Sequence, residues 1–124
     1  MTFVLLPVVL VDEMHDSVLN PGELASRAMH KSLESALAKV ENRLAYGLIN
    51  DVFDLAAAYA IAIAQGHGFN DANKRTAFRA MVATLAFNDV TCRLSTETIG
   101  PVIIRAAQGL MDEAELGLWL RQRL

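Results

Sequence analysis

Between His67 and Arg75 the chain reads His-Gly-Phe-Asn-Asp-Ala-Asn-Lys-Arg, which sets an imidazole, a carboxylate, two carboxamides and two cations within a single short stretch. An imidazole titrates near neutral pH and can take the proton of an attacking hydroxyl. A carboxylate is the hard oxygen ligand that Mg2+ prefers, and Asn, Lys and Arg are donors that meet phosphate oxygens. The set suits phosphate chemistry, with His67 as general base, Asp71 as metal ligand, and Asn73, Lys74 and Arg75 as phosphate binders. Taken singly, each residue has a plainer reading: His67 as a structural imidazole, Asp71 and Asn73 as helix caps, Lys74-Arg75 as a solvated pair. Their joint occurrence at this spacing is what carries weight. Phe69 reads as structural, its ring anchoring the loop in the core so that its neighbours hold still.

The elements that must position these residues are helical. The apolar run Leu55 to Ala64 ends at Gln65-Gly66, and a second run, Ala77 to Phe87, follows the motif, which predicts helix, loop, helix. Asn50 or Asp51 is placed to cap the first helix, and Asn88 to end the second in a left-handed conformation. Asp71 to Arg75 then fall at or just before the start of the second helix, where Asp71 suits the N-cap. Unpaired N–H groups and the macrodipole favour an anion there. Cations in a first turn are disfavoured by roughly 0.3–1 kcal/mol each, so Lys74 and Arg75 point to a bound polyanion, a nucleoside triphosphate being the obvious one.

Elsewhere the punctuation is also helical. Pro7 opens a helix whose apolar face is Val8, Val11, Met14 (or His15) and Val18, stopped by Asn20-Pro21-Gly22, although the β-branched residues there equally permit a strand. Glu23 to Val40 is helix-compatible, with Leu33, Ala36, Leu37 and Val40 on one face, and Glu41 to Gly47 reads as a connection. Val90 to Leu94 suits an extended segment. Ser95 or Thr96 caps a helix reaching Gln108-Gly109, and Asp112-Glu113-Ala114-Glu115 has the capping-box form of a last helix that buries Leu116, Trp119 and Leu120. The expected architecture is all-α: a compact bundle of about six helices around the central helix-loop-helix, as one domain spanning residues 1–124.

Composition narrows the function classes. The 124 residues are 53% hydrophobic and 20% charged, enough for a core and against general disorder. A net charge of −3 gives no support to direct nucleic-acid binding, which needs a clustered excess of Lys and Arg. Cys92 is alone, so neither an internal disulfide nor a cysteine-based metal site is available, and a reducing cytosol fits. The apolar opening Phe3 to Val11 lacks a basic n-region and runs into Asp12-Glu13, unlike a signal peptide. Every apolar run is interrupted well short of about 20 residues, so no membrane partner and a soluble, cytoplasmic protein are expected.

The motif His67-x-Phe69-x-Asp71-x-Asn73-Lys74-Arg75 resembles the active-site loop of the Fic/Doc family. Lys74 makes it similar to the Doc toxin branch, since Fic nucleotidyltransferases usually carry Gly there. The resemblance is strongest from about Val40 to Val90, and Leu33-Glu34-Ser35-Ala36-Leu37 upstream also matches the family pattern. Three departures matter. Ala72 stands where many relatives have Gly, so no positive φ is expected at that point. Phe78 occupies the place of a second Arg in many Fic enzymes, and Arg79, one residue on, is given no such role. The Ser/Thr-x-x-x-Glu-Gly/Asn helix of self-inhibited relatives is absent, because Leu37 stands four residues before Glu41-Asn42.

The resemblance implies a compact all-α fold and transfer of the γ-phosphate of Mg-ATP to a Ser or Thr of a translation elongation factor, elongation factor Tu, arresting translation and growth. His67 would be the base, Asp71 would hold Mg2+, and Asn73, Lys74, Arg75 and the helix N-terminus would bind phosphate. It also implies restraint by a cognate Phd-like antitoxin whose disordered tail folds as a helix into a groove. His15 and His30 are expected on the surface or on helix faces, away from the site. Three functions fit the motif: a toxin kinase, a Fic-type nucleotidyltransferase (AMPylase), or a noncatalytic module that binds nucleotide or antitoxin. Lys74 favours the first over the second, and the intact base, carboxylate and cations argue against the third.

Overall fold

The computed structural model describes residues 2–29 and 31–124, and among them the ordered elements are helices: α1 (Val8–Val18), α2 (Leu33–Ala45), α3 (Val52–Gly66), α4 (Asn73–Phe87), α5 (Thr96–Ala107) and α6 (Glu113–Arg123). The all-α expectation holds, and no helix among the described residues is long and apolar enough to cross a membrane.

The axis of the fold is α3, which packs against α2, α4, α5 and α6. Its alanines explain why. Ala56, Ala57, Ala58 and Ala60 are buried along with Leu55, Tyr59, Ile61 and Ile63, so the helix is covered on nearly every side by neighbours that its small side chains admit at close range. Asp51 caps it, accepting the Asp54 N–H at 2.9 Å. On one flank α1 packs on α4 and α2. The Tyr59 hydroxyl accepts the Leu6 N–H at 3.0 Å, which ties the N-terminal segment to the core. On the other flank Gly117 of α6 crosses α3 so closely that a Cβ there would lie 2.6 Å from Asp54 Oδ1. Asp112 and Glu115 form the expected capping box, and Leu116 and Leu120 are buried. Trp119 is only half-buried, with the Arg123 guanidinium 4.2 Å from its ring centroid.

Several local expectations are corrected. Glu23 to Met29 and Lys31-Ser32 are irregular, and α2 begins at Leu33, where Ser32 caps it by accepting the Ser35 N–H at 3.1 Å. The backbone upstream is taken by a distant partner: Ala28 N–H donates to Gly68 O at 2.9 Å and Asn70 N–H to Ser26 O at 3.2 Å, around an isolated antiparallel bridge between Arg27 and Phe69. Pairing with the motif loop outweighs local helix propensity. At the other end α2 runs through Ala45, and what read as a connection is its last turn. It stops where Gly47 takes φ +73° and Leu48 N–H reaches back to Arg43 O at 2.9 Å. After α4 the left-handed residue is Asp89 (φ +69°) and not Asn88, whose side chain instead bonds Thr84 O at 2.8 Å and both backbone groups of Val4. Val90 to Leu94 joins no strand.

Candidate active site

The motif occupies the loop from α3 to α4, and its five candidate residues converge. His67, Asp71, Asn73, Lys74 and Arg75 line one cleft of about 270 Å³, backed by Ala64 of α3 and Ala107 of α5. His67 is exposed and forms the left-handed C-cap of α3 at φ +48°. The turn before it is wedged against α2: a Cβ on Gly66 would lie 3.1 Å from the Ala36 Cβ, and one on Gly68 would lie 3.4 Å from Leu33 Cα.

The start of α4 differs from expectation. Its N-cap is Ala72, left-handed at φ +65° and without a side-chain cap. The absence of Gly did not remove the need for positive φ: the chain accepts roughly 1–2 kcal/mol of steric strain at an alanine. Asp71 is therefore not the cap. Its Oδ2 accepts the Leu24 N–H at 2.8 Å, and its other carboxylate oxygen accepts no hydrogen bond among the described residues. Thr76 donates both its N–H and its hydroxyl to Ala72 O, at 2.9 and 2.8 Å, so the intrahelical ladder begins there. The N–H groups of Asn73, Lys74 and Arg75 find no acceptor among the described residues.

The two cations are not equivalent. Arg75 donates to Val18 O at 2.6 Å and pairs with Glu23, so its misplacement at the positive end of α4 is offset within the chain. The Glu23 carboxyl is held below its ordinary value, first by Arg75 and then by the Asn20 N–H. Lys74 is exposed and forms no ion pair among the described residues, so the argument for a bound polyanion rests on Lys74 alone. Asn73 closes the loop. Its Oδ1 accepts the Phe69 N–H at 3.2 Å and its Nδ2 donates to Phe69 O at 2.9 Å, so the carboxamide is engaged by the loop while the backbone N–H has no acceptor among the described residues.

Phe69 is buried, as expected of the anchor, but sequence reasoning missed what it rests on. His15 of α1 is fully buried, stacks on the Phe69 ring with centroids 3.7 Å apart, and bonds Asp71 O through Nε2 at 2.7 Å. The expectation that His15 lies away from the site is overturned. A signal was available, because His15 shares the apolar face of α1 with Val11 and Met14, and a polar group on a buried face needs a partner. His30 lies outside the described residues. The Arg27 guanidinium lies 5.6 Å from the Phe69 centroid, held by Asp12 at 2.7 Å and Glu34 at 3.1 Å. Arg79 is exposed on the face shared by α1 and α4 and does not line the His67 cleft.

The donor set can be tested for a magnesium nucleotide. Among the described residues no three His, Cys, Asp or Glu side chains come together to hold a metal unaided. Mg2+ usually binds through one or two carboxylates plus substrate phosphates, and a single carboxylate oxygen beside open N–H groups fits that mode. A model of the Fic/DOC family matches residues 6–85. The chain is also similar to "Protein kinase doc" of Escherichia phage P1, 34% identical over 110 residues that cover 88% of this chain and 86% of that protein.

Proposed function

The chain belongs to the Fic/Doc family, and from that premise we propose that it is a Doc-like toxin, an ATP-dependent protein kinase that moves the γ-phosphate to a hydroxyl of a translation elongation factor, elongation factor Tu. The observation that carries the reading is the convergence, in one cleft, of an exposed imidazole, a carboxylate and an uncapped helix start bearing Lys74, the second carboxylate oxygen and the ammonium having no partner among the described residues.

In this mechanism His67 accepts the proton of the target Ser or Thr as its oxygen bonds to the γ-phosphorus, and the bond to the bridging oxygen breaks to release ADP. The Asn73, Lys74 and Arg75 N–H groups and the Lys74 ammonium meet the phosphate oxygens. Asn73 keeps the loop closed, and Arg75, its charge offset by Glu23, ties the segment after α1 to the start of α4. Asp71 would hold Mg2+ brought by the nucleotide, and the ion would neutralise charge on the phosphates.

Lys74 is also why the γ-phosphate is expected to react. A side chain and point charge there replace the close backbone approach that Gly allows, so the nucleotide binds in another orientation. Restraint by a Phd-like antitoxin in the cytoplasm completes the reading, since the chain lacks the self-inhibitory helix motif. The test is transfer of label from γ-labelled ATP to the elongation factor with a mass gain of one phosphate. Transfer of α-label instead would make the chain a nucleotidyltransferase, and harmless high-level expression in bacteria would remove the toxin assignment.

A further inference from the structure

We infer that His15 is a positioning residue: by donating Nε2–H to the Asp71 carbonyl it holds the left-handed turn at Ala72, and so keeps the Asp71 carboxylate facing the cleft at the start of α4. The inference deepens the reading above and rests on its assignment of Asp71 to the metal.

Three buried polar side chains stand out in the described core, His15, Thr76 and Thr84. The two threonines donate to carbonyls four residues back, Ala72 O and Ala80 O, as hydroxyls in helices do. His15 alone reaches across the fold, to Asp71 O at 2.7 Å. A carbonyl only accepts, so the proton in this bond sits on Nε2. The ring's other nitrogen, Nδ1, is buried with no hydrogen-bond partner among the described residues; the carboxylate Asp16 Oδ1 stands 3.9 Å away. Leaving a buried polar atom unpaired is unfavourable, and Phe would fill the same space without that penalty. Packing alone does not explain an imidazole here. The bond to Asp71 does.

Asp71 O has particular need of it. The carbonyl precedes α4, and the left-handed φ of +65° at Ala72 keeps the Asp71–Ala72 peptide out of the helical ladder, whose first acceptor is Ala72 O. His15 also stacks on Phe69 with an interplanar angle of 5°, so one ring grips the loop at two points between His67 and the start of α4. Without the donor, the peptide is free to rotate toward the negative φ that an alanine prefers, and the Asp71 side chain turns with it.

Two variants separate donor from packing. His15→Phe keeps the stack and removes the donor, whereas His15→Gln keeps an N–H at similar reach and removes the stack. The first readout is calorimetric affinity for ATP with and without Mn2+, well below each variant's melting temperature. In His15→Phe the metal-dependent gain in ATP affinity should fall about 10- to 100-fold, as is usual when a metal ligand loses its support, with metal-free ATP affinity unchanged. His15→Gln should retain most of the gain. In the labelling assay His15→Phe should lower kcat and raise the half-saturating metal concentration, leaving the KM for the protein target unchanged. A wild-type metal gain in a folded His15→Phe, an equal loss in both variants, or no metal gain in the wild-type chain would overturn the inference. Should His15→Phe not fold, nitrogen-edited NMR of the unmutated protein decides: a slowly exchanging proton on His15 Nε2 supports the inference, and a proton on Nδ1 alone overturns it. Intact metal-dependent ATP binding without γ-label transfer would instead count against the kinase reading and leave the role of His15 standing.

Discussion

Two helix starts at different places in the molecule make an instructive pair, those of α3 and α4. At the start of α3, Asp51 accepts the Asp54 N–H, and Arg121 of α6 donates to both carboxylates, at 2.7 and 3.0 Å to Asp51 and 3.0 Å to Asp54. The adjoining cleft, about 520 Å³, is larger than the one beside His67, yet these charges along its wall are already paired with one another. At the start of α4 the cap is a strained alanine, three N–H groups are unclaimed and Lys74 has no partner among the described residues. One start has its side-chain cap and its charges satisfied within the chain. The other has no side-chain cap; His15, Asn73, Leu24 and Glu23 hold the surrounding loop, and its donors are left for a ligand.

The comparison breaks if the largest expected effect fails to appear. His67→Ala should reduce target labelling by about 10²- to 10⁴-fold, the usual span for loss of a general base, with melting temperature and nucleotide affinity close to wild type. Labelling rates and a thermal melt check it together, and retained activity in a folded variant would remove the base from the mechanism. Asp71→Asn comes next. It preserves an acceptor for the Leu24 N–H but removes a charged metal ligand, so labelling should fall at least about tenfold and lose its Mg2+ response at unchanged stability.

At the α3 start the same kinds of change should act on stability alone. Asp51→Ala should cost about 2 kcal/mol, summing the lost cap and the half-exposed pair with Arg121, with no change in labelling rate per folded molecule. Its pH dependence has a definite sign. The Arg121 hydrogen bond comes first among the causes that hold the Asp51 carboxyl below its ordinary value. The folded state thus binds this proton more weakly than the unfolded chain, and the contribution is present above about pH 4 and lost as pH falls through the lowered value. Acid unfolding of Asp51→Asn should lack that part of the transition. The smallest effect sharpens the contrast: Ala72→Gly should stabilise the fold by up to about 1 kcal/mol, because Gly accepts φ +65° without a Cβ clash. A melt that drops would mean the alanine methyl is needed where it sits.

Much of this protein was determined locally, and those parts were legible in the sequence. The apolar face of α1, the apolar run of α3, the cap at Asp51 and the capping box at Asp112 depend on residues within a turn or two of one another. The motif was legible for the same reason, since its candidate side chains hang from one short loop. What tertiary structure decided involves partners far along the chain. Backbone pairing of residues 26–28 with 68–70 kept Glu23 to Met29 out of α2, and Glu23 settled which cation of the motif is offset. Asp71 gave its carboxylate to Leu24 and its carbonyl to His15, so the capping role written into its residue type was not used. His15 lies 56 residues from Asp71 in sequence. Local propensity acts over one or two turns, whereas a buried donor must find its acceptor wherever the packed core brings one, and only the fold determines which that is.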